Sequence, residues 1–123
     1  MSYAQRVAVT VTTAADGSAT AYTPGAITGK LSQIRYVKTD FDNGVGFTIT
    51  AEATGETLWA EAAVNASATR APRQATHSTA GVAALYAATF AVNDKIAIAD
   101  DRIKIVIASG GNVKTGTFHF VIE

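Results

Sequence analysis

Apolar and polar residues alternate with a period of two in several stretches of this chain. Because successive side chains of a strand point to opposite sides, this period predicts strands that bury one face. The clearest stretches have their apolar residues at Val7, Val9 and Val11, at Val45, Phe47, Ile49, Ala51 and Ala53, and at Ile103, Ile105 and Ile107.

Turn residues between these stretches predict how the first strands pair. An Asp-Gly turn at 16–17 predicts a hairpin that places Tyr22 opposite Val11. The next strand, over residues 31–39, carries Leu31 and Ile34 at positions of opposite parity. Both can be buried only if the strand contains a bulge or begins after the first of them.

Two further hairpins are predicted, one central and one near the C-terminal end. A Thr-Gly turn at 54–55 pairs Thr50 with Trp59, which directs the only tryptophan away from the core. A glycine-rich turn after the last isoleucine stretch places Phe118 opposite Ile103. Residues 82–90 are interpreted as one more strand, although their alanine content also allows a short helix.

Many short strands separated by turns predict an all-β fold, a single-domain antiparallel β-sandwich or jelly roll over residues 1–123. A chain of 123 residues is long enough to bury one core.

Composition narrows the classes of partner. Lys plus Arg and Asp plus Glu both count 10, so the formal charge is zero and the field that steers proteins to nucleic acid is missing. A neutral surface favours self-association or docking on an assembly. No apolar run approaches the roughly 18 residues of a membrane span, and no leader is recognised. We therefore expect neither nucleic acid nor a membrane as partner.

The sequence offers no catalytic constellation. With no cysteine there is no thiolate metal site. His77 lies in an irregular segment, and His119 is predicted opposite Arg102, whose charge disfavours metal binding or base chemistry at the ring. The acidic loop at 40–44 lacks the glutamate of a calcium loop and is interpreted as a turn. We expect no enzyme activity, no cofactor and no metal.

Two regions are candidates for binding a partner. Trp59 could anchor a protein or stack on a sugar ring, unless another element covers it. The segment with Arg70, Arg73 and His77 is locally positive, because residues 62–93 contain no Asp or Glu. An arginine pair can bind carboxylates of a partner, and the alternative is a solvated loop.

Four segments resemble small proteins encoded in the head-gene clusters of tailed phages and prophages. They are "YAQRVAVTVTT", "IRYVKTDFDNGVGFTIT", "NASATRAPRQATHSTAGVAALY" and "RIKIVIASGGNVKTGTFHFVIE". The resemblance covers nearly the whole chain and rests on overall texture and segment order.

The resemblance implies a capsid decoration, or cement, protein that binds the outer surface of the phage major capsid protein. The expected location is the virion, after synthesis in the host cytoplasm, and the expected state is a homo-oligomer. A minor head, connector or tail role remains open. A carbohydrate-binding sandwich that uses Trp59 and Tyr86 is the alternative from another class.

Overall fold

The structure, a computed structural model, describes residues 4–123, and these form twelve strands and no helix. In chain order the strands are β1 (Gln5–Thr12), β2 (Ala19–Tyr22), β3 (Ile27–Lys38), β4 (Gly46–Ala51), β5 (Thr57–Glu61), β6 (Ala68–Arg70), β7 (Arg73–Ala75), β8 (Leu85–Ala87), β9 (Phe90–Ala91), β10 (Asn93–Asp101), β11 (Ile103–Ala108) and β12 (Thr115–Ile122).

Two antiparallel sheets pack in a sandwich-like arrangement. The larger sheet has the order β1-β12-β3-β10-β7, with β6 also paired to β3, and the smaller has the order β2-β11-β4-β5. β8 and β9 pair with each other as a separate hairpin. The predicted all-β sandwich is confirmed, and the strand order is compatible with a jelly roll.

The core lies between the sheets, where aromatic side chains join the two layers. Tyr36 and Phe118 of the larger sheet have ring centres 4.6 and 4.9 Å from that of Phe47 in the smaller. Trp59 lies 5.3 Å from Phe47 in an edge-to-face arrangement. Such pairs contribute about 0.5–1.5 kcal/mol beyond the area that they bury.

The predicted pairing of Tyr22 with Val11 is wrong, because the two residues lie in different sheets. Val11 pairs with Gly116 of β12, whereas Tyr22 pairs with Lys104 of β11. The Asp-Gly turn is present, with Gly17 at a φ of 85°. After this turn the chain crosses to the other layer. Alternation shows which face of a strand is buried, but it does not show which strand pairs beside it. In a sandwich, the next strand along the chain can lie in the opposite sheet.

The predicted C-terminal hairpin is wrong for the same reason. β11 belongs to the smaller sheet and β12 to the larger. Phe118 is flanked by Val9 and Tyr36 instead of Ile103. The loop between β11 and β12 is fixed by Thr13, whose hydroxyl donates to the Gly111 carbonyl at 2.7 Å.

The predicted irregularity in β3 is confirmed as a bulge at Ser32. Gln33 and Leu31 pair with consecutive residues of β12, so Ser32 is the extra residue between them. One extra residue reverses the parity of the strand. Leu31 and Ile34 are consequently both fully buried.

β4 and β5 form the predicted hairpin, but in a different register. Ile49 pairs with Trp59 and Thr50 with Thr57, so Leu58 is an extra residue in β5. The prediction that Trp59 points away from the core is wrong, since only 6% of the residue is exposed. In a regular ladder the consecutive apolar residues Leu58 and Trp59 would point to opposite faces. The bulge lets both be buried, and this burial favours the bulged register.

Tyr36 is fully buried, and its hydroxyl has no hydrogen-bond partner among the described residues. Replacing it with phenylalanine is expected to raise the free energy of unfolding by about 1 kcal/mol, because an unpaired buried polar group costs about 1–3 kcal/mol. Urea denaturation at pH 7 measures the change. The half-exposed Tyr22→Phe is the matched control, and a loss of stability in Tyr36→Phe would contradict the prediction.

Tyr36 is also expected to lower the free energy of unfolding at alkaline pH. Burial raises the pKa of Tyr36 to about 12. In the unfolded chain the phenol ionises near pH 10. Between about pH 10 and 12 the unfolded state therefore binds fewer protons than the native state, and stability falls as the pH rises. The Tyr36→Phe variant should lack this part of the loss in denaturation curves recorded across that range.

Candidate interaction surface

Residues 71–92 leave the edge of the larger sheet and form an element that we call the arm. β7 joins the arm to the sheet by pairing with β10 over Arg73, Gln74 and Ala75. No residue from 69 to 95, a range that the structure describes completely, is buried. The arm is therefore folded outside the core.

Backbone hydrogen bonds join three segments of the arm. The Thr76 N–H donates to the Val92 carbonyl at 2.8 Å, and the Ala84 N–H donates to the Thr76 carbonyl at 2.9 Å. The Val92 N–H donates to the Ala84 carbonyl at 3.0 Å. Because these backbone groups hydrogen-bond to one another, the arm is a small folded unit.

Large apolar side chains of the arm point into solvent. Tyr86 is 71% exposed and Phe90 58% exposed, and their rings stack with centres 5.7 Å apart at an angle of 19°. Three more apolar residues of the arm are exposed: Val82, Leu85 and Val92. Grouped exposed apolar side chains mark interaction sites on soluble proteins, whereas scattered ones do not.

Charge is confined to the base of the arm. Residues 74–93 contain no Asp, Glu, Lys or Arg. At the base, Arg73 Nη1 donates to the Ser32 carbonyl at 2.9 Å, and Lys95 forms an ion pair with Glu123. The hydrogen bond from Lys95 holds the pKa of Glu123 below its usual range. The polar base attaches the arm, and residues 74–93 beyond it carry no acidic residue, lysine or arginine.

The structure divides the five candidate residues into two groups. Tyr86 and His77 lie on the arm, and Arg73 lies at its base. Trp59 and Arg70 lie together elsewhere, on β5 and β6. The basic segment is thus not one surface.

Trp59, Arg70 and Glu61 form an internal cluster. Trp59 Nε1 donates to Glu61 Oε1 at 3.0 Å, and the Arg70 guanidinium donates to both Glu61 oxygens at 2.8 and 2.9 Å. The same guanidinium lies 5.8 Å from the Trp59 ring centre. Hydrogen bonds from Arg70, and secondly from Trp59, hold the pKa of Glu61 below its usual range. Arg70 is therefore engaged within the chain.

His119 does not lie opposite Arg102, so that prediction is wrong. β12 places His119 between Ala8 and Arg35. Arg102 instead binds Glu52, with Nε 2.6 Å from a carboxylate oxygen. Within the described residues no group of three or more His, Cys, Asp or Glu is placed to hold a metal ion.

Phe90, whose exposed ring stacks on Tyr86, and the exposed Leu85 were not among the candidates from the sequence. The sequence favours a single strand over residues 82–90. The structure instead has two short strands there, joined by a turn at Ala88, which has a φ of 44°. The signal in the sequence was a long uncharged run that still carried large apolar residues. Such a run is expected in a core and is informative when it lies outside one.

Comparisons with known proteins add no relative: no family model matches the chain, and no curated protein matches it. Among the described residues there is no helix long and apolar enough to cross a membrane.

Proposed function

We propose that this chain is a non-enzymatic structural protein of a phage virion, a capsid decoration protein that binds the outer surface of the major capsid protein shell and stabilises it. The observation that carries the proposal is the uncharged arm with its exposed Tyr86–Phe90 stack. An arm of this kind supports attachment to a protein. The resemblance described above supplies the capsid as the assembly.

The energy available from one arm suits a repeated contact. Burying the exposed parts of the two rings removes roughly 250 Å² from water, worth about 6 kcal/mol at ~25 cal/mol per Å². Association costs about 4–15 kcal/mol, so a single arm gives weak binding. Symmetric copies that bind the same shell raise the effective concentration of each further contact. A capsid decoration protein meets this condition, because many copies of it bind one shell.

The carbohydrate-binding alternative loses its main residue. It relied on Trp59 as an exposed stacking platform together with Tyr86, and Trp59 is buried under Arg70. Tyr86 already stacks on Phe90 within the arm. We propose no glycan-binding function.

Co-sedimentation with undecorated heads of the encoding phage or prophage tests the proposal. We expect the wild-type chain to bind the heads and to raise the temperature at which they rupture. The double variant Tyr86→Ser/Phe90→Ser should lose binding, because it removes the exposed rings. Val113→Ser, which changes an exposed valine outside the arm, should bind as the wild type does.

Each result bears on a separate part of the proposal. A wild-type chain that fails to bind heads, or binds without stabilising them, overturns the decoration role. Heads that bind the double variant as well as the wild type overturn the arm as the attachment element. Binding to isolated tails and not to heads would point to the tail role.

A further inference from the structure

We infer that β1 pairs with β1 of a second copy of this chain, so that the larger sheets of the two copies become one continuous sheet. The arm, to which the capsid contact is assigned, lies at the opposite edge of the same sheet. The two contacts therefore use different surfaces, and the pairing of β1 does not depend on the capsid role.

Every second residue of β1 has backbone groups without a partner strand. β1 pairs with β12 alone. The Thr13 N–H donates to the Lys114 carbonyl at 2.8 Å, so in this antiparallel ladder the odd-numbered residues bond to β12. Within residues 4–123, no hydrogen bond reaches the outward N–H and C=O groups of the even-numbered residues, which are Arg6, Ala8, Thr10 and Thr12.

Among the edge strands of the two main sheets in the described part of the chain, β1 alone lacks a feature that blocks pairing. β6 and β7 have three residues each, β2 has four with Pro24 soon after it, and β5 has the extra residue Leu58. β1 has eight residues in unbroken register, with no proline, lysine or inward-pointing charge. Natural sheets protect long edges by such features, because an unprotected edge pairs with other chains.

The core is open on the side where β1 lies. β1 and β2 end their sheets on this side and lie next to each other across the sandwich. Three apolar side chains of these two strands pack against the core but are only half-buried: Val7, Ala19 and Ala21. A strand laid against β1 would remove more of this apolar surface from water, which adds hydrophobic stabilisation to the backbone pairing.

The outward backbone groups of β1 specify an extended strand as their occupant. Donors and acceptors repeat along the edge every two residues, about 6.8 Å, and another strand has the same spacing. Residues 7–12 alternate valine with alanine or threonine and carry no charge, which is typical of a segment that pairs with its own copies.

The backbone of β1 is complementary to itself about Val9. A two-fold axis there pairs Ala8 with Thr10 of the second copy and Arg6 with Thr12 of the second copy. All four outward residues of each copy are then in hydrogen-bonded pairs, which gives about eight hydrogen bonds at two for each pair. Moving the axis to a neighbouring position leaves some of the outward residues without a partner.

The same register matches the side chains on both faces of the joined sheet. On the core side Val9 meets its own copy and Val7 meets Val11, so apolar residues lie opposite apolar residues. On the outer face Arg6 lies opposite a threonine, and no like charges meet. A slip of one residue would place threonine against valine on the core side, so the pattern specifies one register.

The contact area reaches that of a specific dimer. A strand of eight residues is about 27 Å long and a two-layer sandwich is roughly 20 Å deep, so the joined flank covers on the order of 550 Å² of each copy. The total of about 1,100 Å² exceeds the ~1,000 Å² that a specific interface needs when complementarity is good.

The dimer holds its two arms at opposite ends. The larger sheet runs from β1 at one edge to β7 at the other, and β7 carries the arm. Pairing at β1 therefore leaves both arms accessible at the far edges of the joined sheet. When one arm is bound to a shell, the dimer raises the effective concentration of the other.

Sedimentation velocity of the purified full chain, without heads, tests the pairing. We expect the wild type to be a dimer and Ala8→Pro a monomer. Proline removes an outward N–H that the second copy needs, and the bonds from β1 to β12 remain because they involve the neighbouring residues.

Ala60→Pro is the matched control, at the β5 edge of the smaller sheet. The Glu52 N–H donates to the Arg102 carbonyl, so the even-numbered residues of β4 bond to β11. Ala60 pairs with Thr48 of β4, and its N–H therefore also points away from the sheet. This variant carries the same substitution at an equivalent amide and should remain a dimer.

A single introduced cysteine tests the register. The chain has no cysteine, so each new thiol is the only one in its copy. Val9→Cys places two thiols at the two-fold axis, where Cα atoms about 4.5 Å apart allow a disulfide. Oxidised glutathione should convert this variant to a covalent dimer on a non-reducing gel. In Thr12→Cys the two thiols would be about 20 Å apart, and this control should remain uncross-linked.

A wild type that is monomeric in sedimentation overturns the inference, even if that monomer binds heads. A dimer that persists in Ala8→Pro, or that does not cross-link through Val9→Cys, uses another surface and also overturns it. Circular dichroism checks that each variant is folded, and the cysteine pair decides if Ala8→Pro unfolds. A dimer with the expected variant results that does not bind heads supports the inference and overturns only the capsid role.

Discussion

Replacing Trp59 with alanine is expected to lower the free energy of unfolding by about 3–5 kcal/mol, the range for truncating a buried aromatic side chain. Trp59 is 6% exposed, packs edge-to-face against Phe47, and donates its Nε1–H to Glu61. The truncation opens a cavity in the core and leaves Arg70 without the ring beneath it. Urea denaturation, followed by circular dichroism because the variant lacks tryptophan fluorescence, measures the loss.

Tyr86→Ala is the matched control for this prediction. It also truncates an aromatic side chain, but one that is largely exposed, so its free energy of unfolding should change by no more than ~0.5 kcal/mol. The two substitutions should therefore separate stability from binding: Trp59→Ala loses the first and Tyr86→Ala the second. Equal stability losses would show that the arm is packed against the body of the protein.

Replacing Gly29 with alanine is expected to lower the free energy of unfolding by about 2–5 kcal/mol, because overpacking costs ~1–3 kcal/mol and a positive φ adds ~1–2 kcal/mol. Gly29 lies in β3 with a φ of 144°. A Cβ there would lie 2.6 Å from Ile122 Cγ2 and 2.9 Å from the Glu123 carbonyl oxygen. Chemical denaturation of the variant measures the change.

Two other glycines separate the two causes. Gly55 has a φ of 73° and no atom within 4 Å of an added Cβ, so Gly55→Ala should show the conformational cost alone. Gly25 also has open space and no positive φ, and Gly25→Ala should be neutral or stabilising by up to ~1 kcal/mol. If Gly29→Ala lowers the free energy of unfolding no more than Gly55→Ala does, the close approach of Gly29 to Ile122 and Glu123 is wrong.

Much of the burial pattern could be predicted from the sequence. The inward faces of β4 and β11 follow the alternation around Phe47 and Ile105, and the opposite parity of Leu31 and Ile34 correctly required a bulge. These predictions succeed because each depends on a few neighbouring residues. A strand with the period of two can bury one face in only one way.

The pairing of strands and the candidate site could not be predicted in the same way. Trp59 was misplaced because the bulge at Leu58 shifts the register by one residue, and no turn residue signals it. The sequence did not predict the exposure of Phe90, because a large apolar residue is expected in the core unless its tertiary surroundings are known. Both errors concern contacts that the local sequence does not contain.

By itself the sequence determined that the chain is all-β, which side chains of β4 and β11 face the core, where the turns at Gly17 and Gly55 fall, and that residues 74–93 contain no Asp, Glu, Lys or Arg. Only the tertiary structure decided which strands meet, that Trp59 belongs to the core, and that the arm lies outside it. The physical reason is that alternation is fixed by neighbouring residues, whereas pairing and exposure are fixed by packing between residues far apart in the chain.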